Sequence, residues 1–331
     1  MAKLSDSMMI RGNLIKNRIA MLPVVTFSFH GDGNDYFGRQ HVEHYTKIAA
    51  GGAGIVCVQG TSALGAKKRE GQLTPGSCET LREIAKIIKS YGAAAMIQLS
   101  WGGDPVTDLN ALTTNEFAEK QNELLVGALL MHELGFDGVE FHFGHTFLLC
   151  KTIDAVQNRR ADRFGGSPEK RVSVLTDILP YIRAHTPETF FVAVRMGAFY
   201  PNLEDGIAAA QAFEAAGVDL FDITFGMERP KEPAPESFPL SALAYSGYLI
   251  RQHVRVPVVG VGGLDTAEKA ESLIENEYAD IAGAAKAHLA DYDFANKILS
   301  GNPLQVCMHC SKCFWYTDHT RCPSHKKETL L

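Results

Sequence analysis

No run of about 18 consecutive apolar residues occurs in this 331-residue chain, so nothing in it has the length and hydrophobicity of a membrane-spanning helix. The opening residues, MAKLSDSMMIRGN, lack the extended apolar stretch of a secretory signal. A soluble, cytoplasmic protein is therefore expected, with no membrane partner. A basic excess is missing too: the net charge is −6 and the pI about 6.1. That leaves no field to attract nucleic acid, although a local patch can still hold one phosphate. No Gly-x-Gly-x-x-Gly follows a first strand, which argues against a doubly wound dinucleotide fold. Seven cysteines do not read as a disulfide scaffold, because Cys57, Cys78 and Cys150 are scattered while Cys307, Cys310, Cys313 and Cys322 crowd one end.

What is present is a repeating order of elements. Short apolar runs occur at Ile19 to Val25, Gly54 to Val58, Ala94 to Leu99, Gly138 to Phe143, Phe191 to Met196, Leu220 to Thr224, Val256 to Val261 and Ile281 to Ala285. They lack polar alternation, the mark of parallel strands covered on both faces. Between them lie amphipathic segments such as Cys78 to Tyr91, Thr114 to Leu134, Ser173 to Ala184, Gly206 to Ala216 and Thr266 to Glu275. Gly92, Gly135 and Gly217 stand where a left-handed residue would end each helix. The order predicts an α/β fold, a TIM (β/α)8 barrel over residues 1–303, with a cysteine-rich extension over residues 304–331. The proline-rich stretch Met227 to Phe238 is expected to be a loop over the barrel mouth.

In such a barrel, chemistry gathers at the C-terminal ends of the strands. Two imidazoles, His142 and His145, lie just past the fourth run with Glu140 beside them, a pattern that favours a site over a pair of core histidines. A metal held by these three residues, in a lyase or hydrolase, is the weaker reading because further ligands would have to come from a distance. Arg195 interrupts an apolar run and would be costly without an anionic partner. Gly262, Gly263, Ala285 and Lys286 follow the last two runs, where backbone N–H groups commonly make a phosphate cup. Gly60 either lets a flat ring approach the backbone or is an ordinary turn glycine.

The segment from His142 through Asn158-Arg159-Arg160-Ala161-Asp162-Arg163-Phe164-Gly165-Gly166-Ser167 to Arg171 carries a more specific signal. It resembles the flavin site of the old yellow enzyme family, whose members pair His-x-x-His or His-x-x-Asn with an Asn-Arg-x-Asp-x-Tyr-Gly-Gly-Ser-x-Glu-Asn-Arg signature. The resemblance spans residues 8–300 and implies an FMN-dependent NAD(P)H oxidoreductase. On that reading Pro23 with Val25 or Thr26, Gly60 and Gln98 line the flavin. Arg195 meets the N1–C2=O edge of the reduced ring, or else forms a structural ion pair with a carboxylate such as Glu140. Gly262, Gly263, Ala285 and Lys286 hold the phosphate, and His142 with His145 binds an acceptor oxygen. The acceptor implied is an activated alkene, a quinone, a nitro compound or a similar molecule. Where the family places a proton-donating tyrosine this chain has Phe147, leaving Tyr200, Tyr36, Tyr245 or solvent as donors.

The spacing Cys307-x2-Cys310-x2-Cys313-x8-Cys322 supplies four soft thiolates, suited to a 4Fe-4S cluster or to zinc, with unligated thiols as the remaining option. His309 and His319 are spare ligands for zinc. The position resembles the dienoyl-CoA reductase and trimethylamine dehydrogenase branch of the family, whose further nucleotide-binding domains are not seen here. Electrons are then expected from NAD(P)H docking directly, or from a partner protein served by a flavin or iron–sulfur carrier. A homo-oligomer is expected.

Overall fold

The eight apolar runs close on themselves. In a computed structural model of the chain, which describes residues 2–26, 28–31, 33, 35–62, 73–101, 108–226 and 233–325, two strands of a short hairpin come first, β1 (Met8–Ile10) and β2 (Asn13–Ile15). The barrel strands are β3 (Ile19–Met21), β4 (Ile55–Ser62), β5 (Ala94–Ser100), β6 (Gly138–Phe143), β7 (Phe191–Met196), β8 (Leu220–Ile223), β9 (Val258–Val261) and β10 (Ile281–Ala284). All pair in parallel, each with its neighbour in sequence, and β10 closes onto β3. This is the predicted TIM barrel.

Strand parity explains the core. Ile19, Met21, Val56, Val58, Val139, Phe141, Val192, Val194 and Phe221 join the helices in one buried cluster. The alternate residues Ala20, Leu22, Ile55, Cys57, Ala94, Met96, Phe191, Ala193, Leu220, Val259, Val261 and Ile281 form a second cluster within the barrel. Ile10 and Ile15 of the hairpin belong to that inner cluster, so β1 and β2 plug it. The hairpin was not anticipated from sequence. Its two-residue turn, Arg11-Gly12, has positive φ at both positions (43° and 80°), as a type I′ turn requires.

Continued upward on the inner parity, the sequence turns polar: Gln59 and Gln98, Glu140 and His142, Arg195, then Asp222 and Thr224. One fold thus has an apolar floor and a polar mouth.

The helices Pro75–Ser90, Thr114–Glu133, Leu203–Ala216 and Ala267–Glu275 match expectation closely. The single helix expected over Ser173 to Ala184 is instead two, Pro168–Thr176 and Leu179–His185. Pro180 explains the break, because it has no N–H to continue the ladder and its ring crowds the preceding turn. Gly92, Gly135 and Gly217 all adopt positive φ. Residues 227–232 of the expected mouth loop lie outside the described residues. Among the described residues no helix is long and apolar enough to cross a membrane.

Beyond the helix Phe294–Ser300 the chain runs back along the barrel. Trp315 anchors it, 2% exposed, with its ring 5.4 Å from His44 and 6.1 Å from Phe29.

Candidate active site

The register of β5 to β8 builds the mouth. Gln98 pairs with Glu140, His142 with Arg195 and Arg195 with Asp222, so one arc of inner positions carries an amide, two carboxyls, an imidazole and a guanidinium. Gln98 Nε2 donates to Glu140 Oε1 at 2.6 Å. Arg195 Nε stands 3.2 Å from Asp222 Oδ2. The charge partner of Arg195 is therefore Asp222, rather than Glu140 as the structural alternative had it. Glu140 and Asp222 are both fully buried and face one another within hydrogen-bonding reach. Burial, then Asp222, push the Glu140 carboxyl up to about 8, and burial raises Asp222 as well.

Past β6 the chain makes a tight reversal. His145 and Thr146 both take left-handed φ, 57° and 65°, a conformation costing non-glycine residues on the order of 1–2 kcal/mol each. The turn brings His145 Nδ1 to 3.1 Å from His142 Nε2, while His145 Nε2 reaches Thr224 Oγ1 at 3.0 Å. Burial, and then Arg195, hold both imidazoles well below the usual histidine range, His145 at about 4. Both are neutral at physiological pH, so each carries one N–H and one lone pair. His142 Nδ1 is buried without a partner among the described residues.

Thr26 is buried and directs both its hydroxyl (2.6 Å) and its backbone N–H (3.1 Å) to Gln59 Oε1. Its donors are thus already engaged, and at the end of β3 it is Val25, half-buried beside the buried Pro23, that stays partly open. A Cβ on Gly60 would lie 2.9 Å from Gln98 Oε1, so the missing side chain keeps that carbonyl accessible. Gly262 and Gly263 have φ of 115° and 70°, and a Cβ on Gly263 would meet nothing within 4 Å. Ala285 caps the short helix Lys286–Ala290, and Lys286 is exposed with no ion pair among the described residues. The mouth thus offers an orphaned buried nitrogen, an open glycine cradle and an unneutralised cation. These features fit a planar heterocycle with an anionic tail.

Some expectations are corrected. Tyr200 is fully buried, its hydroxyl donating to the Phe143 carbonyl at 2.7 Å and accepting from Gly197 N–H at 2.7 Å, and burial raises its pKa; it has no proton to give the site. Tyr245 sits in an aromatic group with Phe238 and Tyr248. Phe147 is 38% exposed, its ring 5.5 Å from that of His142. His309 Nε2 pairs with Asp265 and His319 Nδ1 contacts Ser28 Oγ, so one ring nitrogen of each is engaged. Cys307, Cys310, Cys313 and Cys322 do line one small cavity, together with Lys286. They are free thiols, and among the described residues no three Cys, His, Asp or Glu side chains stand as a closed metal-binding set.

The signature loop proves to be scaffold. Asn158 Nδ2 donates to the carbonyls of Thr152 (2.6 Å) and Phe164 (2.7 Å), and Arg160 Nη1 to those of Leu109 (2.7 Å) and Leu112 (2.6 Å). Arg171 binds the Ile153 carbonyl and Asp205. These bonds tie down the helix Leu148–Ile153, which follows directly from His145. Gln59, Asp222 and Thr224 were missed as site residues. Asp222 had a readable signal, a carboxylate inside the apolar run Leu220 to Thr224.

Fold and mouth together define a TIM-barrel enzyme with its chemistry at the C-terminal strand ends. Residues 104–305 match the model of the NADH:flavin oxidoreductase / NADH oxidase family, and the chain belongs to that family. It is an oxidoreductase. An NADPH dehydrogenase of Halalkalibacterium halodurans is 28% identical over 86% of this chain and 90% of its own length. A metal reductase of Desulforamulus reducens is 27% identical over 90% of this chain, which spans only 49% of that relative. The solved old yellow enzyme homologue of Zymomonas mobilis shares the fold, with a TM-score of 0.75 at 19% identity, covering 96% of this chain and 99% of that one.

Proposed function

We propose that the protein is an FMN-dependent NAD(P)H oxidoreductase that reduces an activated alkene, quinone, nitro compound or similar acceptor above the barrel mouth. The observation that carries this reading is the convergence of Gly60, Gln98, Arg195, the His142–His145 pair and the open Gly263 turn on one rim. FMN, when bound, supplies two-electron transfer from a reduced nicotinamide to the acceptor.

The chain's own residues do the rest. Gln98 gives its amide hydrogens to Glu140 and presents its carbonyl oxygen to a ring N–H. Arg195 sets a positive charge beside the ring, and Pro23, Val25 and Gly60 give it a flat bed. Gly262, Gly263, Ala285 and Lys286 receive the phosphate through backbone N–H groups and one ammonium. His142 and His145 release their mutual hydrogen bond to take an acceptor oxygen, donating to the negative charge that develops on it. Neutral imidazoles suit this role, because each retains an N–H without adding a full charge. With Phe147 in place of a hydroxyl, the proton that completes alkene reduction comes from solvent, and acceptors that need no positioned proton are favoured.

The four tail thiols share one cavity beside Lys286 without standing as a closed metal-binding set, and we propose that they would close around a 4Fe-4S cluster, with zinc as the alternative. Anaerobic purification with iron, acid-labile sulfide and zinc assays tests this: four irons per chain support it, and one zinc or no metal refutes it. The function is tested by steady-state NADH and NADPH oxidation with a panel of enones, quinones and nitroarenes. Turnover with added small acceptors supports an enzyme, whereas strict dependence on a partner protein would make it an electron carrier.

A further inference from the structure

Beneath the mouth lie two carboxyls whose protonation the proposed chemistry does not itself use. Glu140 of β6 and Asp222 of β8 are both 0% exposed, inside the barrel, above an otherwise apolar lumen. Every element around them contributes a neighbour. From β4 comes the Cys57 thiol, from β5 the Gln98 amide at 2.6 Å, from β7 the Arg195 guanidinium at 3.2 Å from Asp222, and from β6 itself His142, which pairs with Arg195 in register. Two carboxyls therefore face a single cation. Glu140 Oε2 and both Asp222 carboxyl oxygens are buried with no hydrogen-bond donor to satisfy them, Arg195 meeting Asp222 Oδ2 as an ion pair only. Two unprotonated carboxylates in that position would leave a net charge of −1 out of reach of water, at a heavy desolvation cost.

We infer that Glu140 and Asp222 hold one proton between them, and that this shared proton, by keeping the buried group with Arg195 neutral, is what lets Arg195 act as a positive charge toward the ring above it. The two are positioning residues: they act through Arg195 and Gln98. The shared proton bridges one orphaned oxygen of each carboxyl, and the upward push on Glu140 follows from the same geometry. Above about 8 the proton leaves, the group becomes −1, and the guanidinium is matched from below by two carboxylates. Affinity for the anionic, reduced cofactor then falls. The bond from Gln98 Nε2 to Glu140 Oε1 persists through this change, because a carboxylate accepts at least as well as a neutral carboxyl.

The consequence for cofactor binding rests on the flavin reading given above, but the proton itself does not, so the two fail separately. In protein freed of cofactor, infrared difference spectra between pH 6 and pH 9.5 are expected to show one protonated carboxyl disappearing in the wild type and not in Glu140→Gln. Relative to that variant the wild type should lose thermal stability as pH rises from about 4.5 to about 8, because a carboxyl raised in the fold favours folding only while protonated. In protein loaded with FMN, kcat/KM of the wild type should fall about tenfold per pH unit above that pKa, and the limb should be absent in Glu140→Gln, which keeps a permanent neutral donor toward Asp222. If Glu140→Gln fails to fold, the wild-type infrared measurement decides alone. No protonated carboxyl at pH 7, or an alkaline limb unchanged in the variant, overturns the inference. A protonated carboxyl in a protein that refuses FMN would leave the inference standing and remove the flavin reading.

Discussion

The floor and the mouth of this barrel are made by the same strands at the same two-residue period, yet they are built for different ends. The floor, with Ile55, Phe191, Leu220 and Ile281 sealed from below by Ile10 and Ile15, is apolar throughout. Every group there is satisfied by packing alone. Two to four residues further along, the inner positions carry Gln98, Glu140, His142, Arg195, Asp222 and Thr224, and several of their atoms have no partner among the described residues. The contrast teaches where stability and function separate: the floor closes the barrel, and the mouth tolerates unmet polar atoms that a ligand can meet.

That separation can be broken by mutation. Replacing Arg195 with Met leaves the buried Glu140–Asp222 pair without its cation, so a loss of about 3–5 kcal/mol in urea unfolding is expected together with loss of flavin affinity. Leu220→Ala is the matching change at the floor. It should cost about 2–5 kcal/mol in the same assay and leave the flavin dissociation constant unchanged. If Leu220→Ala weakened flavin as much as Arg195→Met, the floor and the mouth would not be separable.

Smaller effects sharpen the picture. The double variant His142→Ala/His145→Ala should lower acceptor reduction by about 10²–10³-fold in stopped-flow reoxidation while flavin stays bound. Phe147→Tyr places a hydroxyl beside His142, and turnover of an enone should rise roughly tenfold with quinone turnover unchanged. Lys286→Ala removes one exposed cation from the turn proposed to hold the phosphate and should weaken FMN by only several-fold, with the loss shrinking as salt is added. The mildest effect is one of pH. His142 and His145 resist protonation in the fold, so the unfolded chain takes up protons first as pH drops below 6.5. Stability is intact above that value and declines toward about 4, a trend that melting curves across the range will show.

Much of this was legible in the sequence. The eight apolar runs fixed the barrel because parallel strands buried on both faces have no polar alternation, and β6 and β7 begin and end at the predicted residues. His142, His145, Arg195 and Gln98 announced themselves as polar groups at or just beyond apolar strands. The hairpin did not, since three-residue strands leave too short a pattern. The Arg195–Asp222 pair was also hidden, because it depends on the register of two strands whose paired residues lie 27 positions apart in sequence, which no local pattern encodes. None of the signature loop's residues was expected to touch the flavin. The loop marks the family strongly, and its side chains brace the backbone behind His145 instead of facing the site.

The central claim is that a flavin lies across the polar mouth. The most direct test is the visible absorbance spectrum of the purified protein, followed by fluorescence titration of stripped protein with FMN. A yellow protein with one flavin per chain, or stoichiometric uptake of added FMN that Arg195→Met abolishes, is the result the account predicts. A colourless protein that refuses FMN offered in excess would contradict it.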